Sequence, residues 1–167
     1  MKSMKISPVS VLKNALKDEL FKDSFVAEFV KGDKKRIQKA RFSDIGEEDI
    51  PLITISAGKE EISELSYNCQ ERSHITVFIE IFGYPEEPLN IDDFVYHVRS
   101  LLRTMNLKAL TNSLFTGINF KEIVYIRDKA GTKRLQHVVL HVITAYDDEI
   151  MLSLDAEDFE GVIRRQR

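Results

Sequence analysis

The sequence predicts an α+β domain, and three observations carry that expectation. Apolar residues recur at helical spacing in two stretches, one near the N-terminus and one near residue 100. Between them lies HITVFIEIFG, a run of alternating β-branched and aromatic residues that suits a central, covered strand. Residues 119–146 then read as two long strands flanking a bend that holds Gly131. With 167 residues and 43% apolar content the chain fits one domain around one core. That domain is expected to span 1–167, with its core at about 8–146 and an extension at 147–167.

Taken in order, Ser7 followed by Pro8 gives an N-cap with proline at the first helical position. Val9, Leu12, Leu16 and Leu20 then place an amphipathic helix from Pro8 to Phe21. The next segment, SFVAEFVKG, satisfies a helical turn or a short strand equally poorly, and both stay open. Lys31–Arg41 carries six cations and one Asp with little apolar content, which predicts an exposed loop. The acidic DIGEEDI leads into Pro51 and the apolar LITIS, a strand expected to end at Gly58. The strand HITVFIEIFG is stopped by Tyr84-Pro85-Glu86-Glu87-Pro88. Asn90 caps a helix with Asp92 and Asp93 in its first turn, and Phe94, Val95, Val98, Leu101, Leu102 and Met105 form its apolar stripe. The hairpin is NFKEIVYIRD, the bend KAGTKR, then LQHVVLHVITAY. The last stretch, DDEIMLSLDAEDFEGVIRRQR, lacks periodicity and reads as a tail or arm.

Composition narrows the function. Twenty-four Lys and Arg against 27 Asp and Glu leave a net charge of -3, which supplies no general attraction to nucleic acid or anionic membrane. The lone Cys69 excludes an internal disulfide and a CxxC site. No apolar run near the N-terminus is long enough for a signal peptide or a membrane span, so synthesis and assembly in the cytoplasm are expected.

The chemical motifs fail one by one. His137 and His141 in HVVLH have zincin spacing without the general-base Glu, and on a strand they stand about 13 Å apart, too far to share one ion. Glu60, Glu61 and Glu64, and Asp147, Asp148 and Glu149, are read as solvated loop clusters without a nucleophile or base beside them. No phosphate-binding loop, dinucleotide fingerprint or nucleophile elbow occurs. Cys69 lies between Asn68 and Gln70 without a base. No catalytic residue, metal or cofactor is expected, and no small-molecule substrate.

The element order resembles the phage tail terminator family of the minor tail protein U type, over roughly Val9 to Tyr146. The residues that carry the resemblance are LKNALKDEL in the first helix, EEDIPLITISAGKEE, RSHITVFIEIFG, IDDFVYHVRSLL, and FKEIVYIRDKAGTKRLQHVVLHVITAY. The resemblance implies a mixed, mostly antiparallel sheet with helices on one face. It further implies a six-membered ring at the head-proximal end of the virion tail. Such a ring caps the tail tube, stops its polymerisation and offers its other face to the head-tail connector. The expected partners are further copies of the chain, the tube protein and the connector protein.

On that reading the subunit contact is expected along exposed strands at Ile123, Tyr125 and Arg127 and at Leu135, His137 and Val139. The tube-facing loop is expected at Lys59, Glu60, Glu61 and Glu64. Lys34, Lys35, Arg36, Lys39 and Arg41 form a charged contact loop beyond a minimal terminator. A head-completion or neck protein is the alternative within assembly. A small nucleic-acid-binding module using the basic loop is disfavoured by the acidic balance and by the lack of a basic-aromatic sheet surface.

Overall fold

A computed structural model describes residues 5–40, 44–64, 71–85, 90–130 and 133–147. The elements are α1 (Pro8–Lys22), α2 (Ser24–Phe29), β1 (Ile37–Gln38), β2 (Leu52–Glu64), β3 (Glu71–Gly83), α3 (Ile91–Thr104), α4 (Leu107–Leu110), β4 (Asn119–Ala130) and β5 (Lys133–Asp147). The strands form a single sheet in the order β1-β2-β3-β5-β4, and only the short β1–β2 pairing is parallel. The protein is therefore α+β with a mixed, mostly antiparallel sheet, as the sequence predicts.

The helix starts follow their caps. Ser7 accepts from the Val9 N–H with Pro8 behind it, Asp23 accepts from Phe25 and Val26, and Asn90 accepts from Asp92 and Asp93. Asp23 resolves the open choice at SFVAEFVKG. Its carboxylate satisfies the first free N–H groups of a helical turn, and the segment becomes α2.

Strand register sets which side chains share a face. Ile53 and Ile55 of β2, Ile75, Val77, Ile79 and Ile81 of β3, and Val138, Leu140 and Val142 of β5 lie on one face. They are buried in one cluster with Leu12, Leu16 and Leu20 of α1 and Phe94, Val95, Val98 and Leu102 of α3. All the core helices thus lie on one side of the sheet. The core is completed by α4 through Leu107 and by the following loop through Phe115, parts for which the sequence reading offered no element.

Four sequence expectations are corrected. Gly58 does not end β2; the strand runs on to Glu64, with a bulge between Ala57 and Lys59. A Cβ at Gly58 would lie 1.9 Å from Phe78 Cε2, so the glycine answers a close approach within the sheet rather than a stop. Lys59, Glu60, Glu61 and Glu64 consequently belong to a strand paired with β3, not to a loop. The basic segment is not a free loop either, since Lys34–Arg36 form a 3-10 turn and Ile37 is fully buried in β1 beside Ile53. The hairpin bend is shorter than KAGTKR, because Lys129 pairs with Arg134 and Ala130 with Lys133. Arg41, Cys69, Gly131, Asp148, Glu149 and the rest of the C-terminal stretch lie outside the described residues.

Candidate assembly surface

The two ends of the sheet differ. At the upper end, the one that holds the paired Glu64 and Glu71, β5 ends at Asp147 beside Arg72. At the lower end the β4–β5 hairpin runs past the last β3 residue, Gly83, which pairs with Gln136. Both lateral edges have open stretches, at different heights: β4 begins at Asn119, level with Lys59 of β2, and runs along the middle and lower sheet. On one side β1 pairs only with Ile53 and Thr54, leaving β2 unpaired outward from Ser56 onward among the described residues. On the other side β4 is the edge strand, and Lys121, Glu122, Tyr125, Ile126 and Arg127 are exposed along it.

These edges place the expected contact residues. Tyr125 is 60% exposed, Arg127 is exposed, and Ile123 packs half-buried on the helix side. Leu135, His137 and Val139 differ from expectation. They are buried, and β5 is an interior strand with β3 on one side and β4 on the other, so its backbone has no free edge. Leu135 instead joins a small cluster with Ile50, Leu52 and Phe82 under Ile45 and Tyr84. On the β2 side Lys59 and Glu61 form an ion pair, and the ammonium beside Glu61 holds its carboxyl below the usual range by hydrogen bond and charge. Glu60 accepts the Tyr146 hydroxyl at 2.7 Å.

The basic segment is tied down. The Arg36 guanidinium donates to the carbonyls of Asp49, Pro51 and Glu48 at 3.0–3.3 Å. Lys34 pairs with Asp18 at 2.6 Å and lies over the Phe21 ring, and Lys39 donates to Asn14. Lys17 of α1 is held below the usual ammonium range, first by burial and then by repulsion from Lys39 and Lys34. Arg36 therefore clips the chain to the start of β2, and the other lysines line the surface of α1. Lys35 is exposed.

The face of the sheet opposite the described helices carries two histidine–carboxylate pairs. His137 Nε2 donates to Glu80 at 3.1 Å with both side chains almost fully buried, and its ring stacks on Phe82 at 4.2 Å. His141 lies 2.9 Å from Glu122 and meets Phe78 edge-on. The two histidines share one face of β5, yet each has its own carboxylate, and among the described residues no group of three or more His, Cys, Asp or Glu is placed to hold a metal ion. A shallow hollow of about 150 Å³ lies between the start of α3, at Ile91 and Asp92, and the hairpin residues Tyr125, Arg127, Gln136 and Val138. Among the described residues no helix is long and apolar enough to cross a membrane.

No family model and no curated protein matches the chain. Among solved structures it is similar to a chain from the virion of a native gene transfer agent particle. The two share 12% identity and a TM-score of 0.48 over 86% of this chain and 99% of that one.

One surface feature escaped the sequence reading. Arg99 and Arg103, one turn apart on α3, both stand over the Phe120 ring at the start of β4, at 5.6 and 5.5 Å. The Arg99 Nε is buried without an acceptor among the described residues. The i, i+4 spacing of the two arginines was visible in FVYHVRSLLRT, but nothing in the sequence tied them to Phe120. Glu80, a single charge inside an apolar strand, was a readable sign that a buried partner exists.

Proposed function

We propose that the chain is a non-enzymatic structural subunit of a tailed-phage-type virion, a tail terminator. Its copies form a ring, six-membered by the family resemblance, that caps the tail tube, halts tube growth and presents a second face to the head-tail connector. The observation that supports this best is the pair of open sheet edges flanking a sheet whose helices keep to one side. A subunit with two different lateral edges is suited to heterologous, closing contacts, and the distinct upper and lower ends give such a ring two unlike axial faces. The chain has the fold class that the resemblance implies, a mixed, mostly antiparallel sheet with its described core helices on one face.

The test is growth of tube protein from the same genome, followed by light scattering, with the chain added in amounts well below the tube subunit. A terminator stops elongation at an early plateau, with mean tube length falling as more chain is added. Elongation that proceeds unchanged at every ratio rejects the reading.

A further inference from the structure

We infer that Arg99 and Arg103 of α3, with Phe120 beneath them, form the docking site for the acidic stretch at residues 155–160 of the same chain. The contact needs neither ring nor tube, so it stands or falls apart from the terminator reading. Three observations lead there.

First, the two arginines lack an anion. They sit one turn apart, where like charges repel, and both stand over a single ring. Among the described residues neither is paired with a carboxylate, and the buried Arg99 Nε has no acceptor. The acid next along β4, Glu122, is held by His141 on the opposite face of the sheet, and the exposed Lys121 adds a third cation to this edge. The C-terminal end of a helix favours a cation in its last turn, which accounts for Arg103 and leaves Arg99 short of an acceptor.

Second, the chain carries the complementary charge. Residues 148–160, DEIMLSLDAEDFE, hold six acids and no cation, and four of the six fall within 155–160. Carboxylates pair with guanidinium groups by charge-assisted hydrogen bonds, two at a time where the geometry allows.

Third, the distance suits the same chain. β5 ends at Asp147, five residues past Val142, and Val142 pairs with Phe120. Those five residues cover about 16 Å at ~3.3 Å per residue. Residues 148–154, when extended, span about 23 Å on the same rise. That span lets the chain double back past the Phe115–Tyr146 bridge and bring residues 155–160 over the arginines.

The lysines along α1 are a poorer match. Lys34 already pairs with Asp18, Lys39 donates to Asn14, and Lys17 has Asp18 and Asp33 nearby. They also belong to the helix that packs on β1 and β2, at the far end of the strand order from β5 and β4.

The experiment places a nitroxide at Ser153→Cys in the full chain with Cys69→Ser and follows the amide signals of nitrogen-15-labelled protein. Amides of residues 99–103 and 119–122 should broaden, while those of residues 13–17 on α1 stay sharp. Arg99→Ala with Arg103→Ala should cut the broadening at least about threefold, the loss expected of two exposed ion pairs. Neutralising the acidic stretch alone, with Asp155→Asn, Glu157→Gln, Asp158→Asn and Glu160→Gln, leaves the folded body untouched and should cut it as far. A mixture of nitroxide-bearing chains without the isotope and isotope-labelled chains without the nitroxide should stay sharp. Broadening in that mixture means that a second copy supplies the acids, and it overturns the inference. So does broadening centred on α1, an absence of broadening at residues 99–103 in the single chain, or broadening that neither set of substitutions reduces.

Discussion

The Glu80–His137 pair tests how the face of the sheet opposite the described helices is stabilised. Glu80 is 2% exposed and His137 6%, and Thr54, directly across from Glu80, is 1% exposed with a hydroxyl that lacks a partner among the described residues. Glu80→Leu leaves the His137 N–H buried without its acceptor, a loss of about 1–3 kcal/mol. His137→Leu removes one contact of Glu80, which retains another polar interaction in the chain, so the expected loss lies toward the lower end, ~1 kcal/mol. In the double variant both leucines lie against Phe82 and Val139, and no orphaned ring nitrogen remains. Its destabilisation should fall short of the sum of the singles by about 0.5–3 kcal/mol. Urea unfolding followed by circular dichroism at neutral pH measures all four chains. Additivity within ~0.5 kcal/mol would refute the view that the two side chains act as one buried unit.

Other substitutions probe single features. Gly58→Val should lower stability by about 1–3 kcal/mol, because the added carbons require the Phe78 ring to move; thermal melts and the Phe78–His141 ring contact in NMR spectra report it. Arg36→Leu should speed amide exchange in residues 46–50 by loosening the start of β2, and Arg36→Lys should fail to restore it because an ammonium cannot span three carbonyls. Asn90→Ala should cost about 1 kcal/mol in a denaturant titration through loss of the α3 cap. The Arg72 hydrogen bond holds the Asp147 carboxyl below its usual range in the folded chain. The stabilisation is therefore present above the ordinary carboxylate pKa and is lost as the pH falls through the depressed value. Asp147→Asn should flatten that part of the melting temperature against pH, between about pH 5 and pH 2.

Helices with a cap and a continuous stripe were legible in the sequence because both signals are local: Ser7-Pro8 and Asn90 mark the starts, and the buried leucines of α1 and apolar residues of α3 fall at helical spacing. Strand ends were less legible. Gly58 and the bend around Gly131 carry turn residues, but cross-strand pairing to β3 and within the β4–β5 hairpin carries the backbone through or close to them. The basic segment shows a third kind of failure. Its charge suggested solvent, while one buried isoleucine and one guanidinium seeking carbonyls were enough to dock it. Among the residues expected to make the subunit contact, Tyr125 and Arg127 are exposed on the edge strand β4. Leu135, His137 and Val139 do not, because strand order is a long-range property that alternating residues cannot reveal. Arg99, Arg103 and Phe120 come together only through the packing of α3 against β4.

The most direct test of the ring-forming terminator is negative-stain imaging of the chain mixed with preformed tubes of the tube protein from the same genome. A terminator gives tubes bearing one ring of the chain at an end, with the tube walls bare. Tubes with unaltered ends, or chain scattered along their walls, would contradict it.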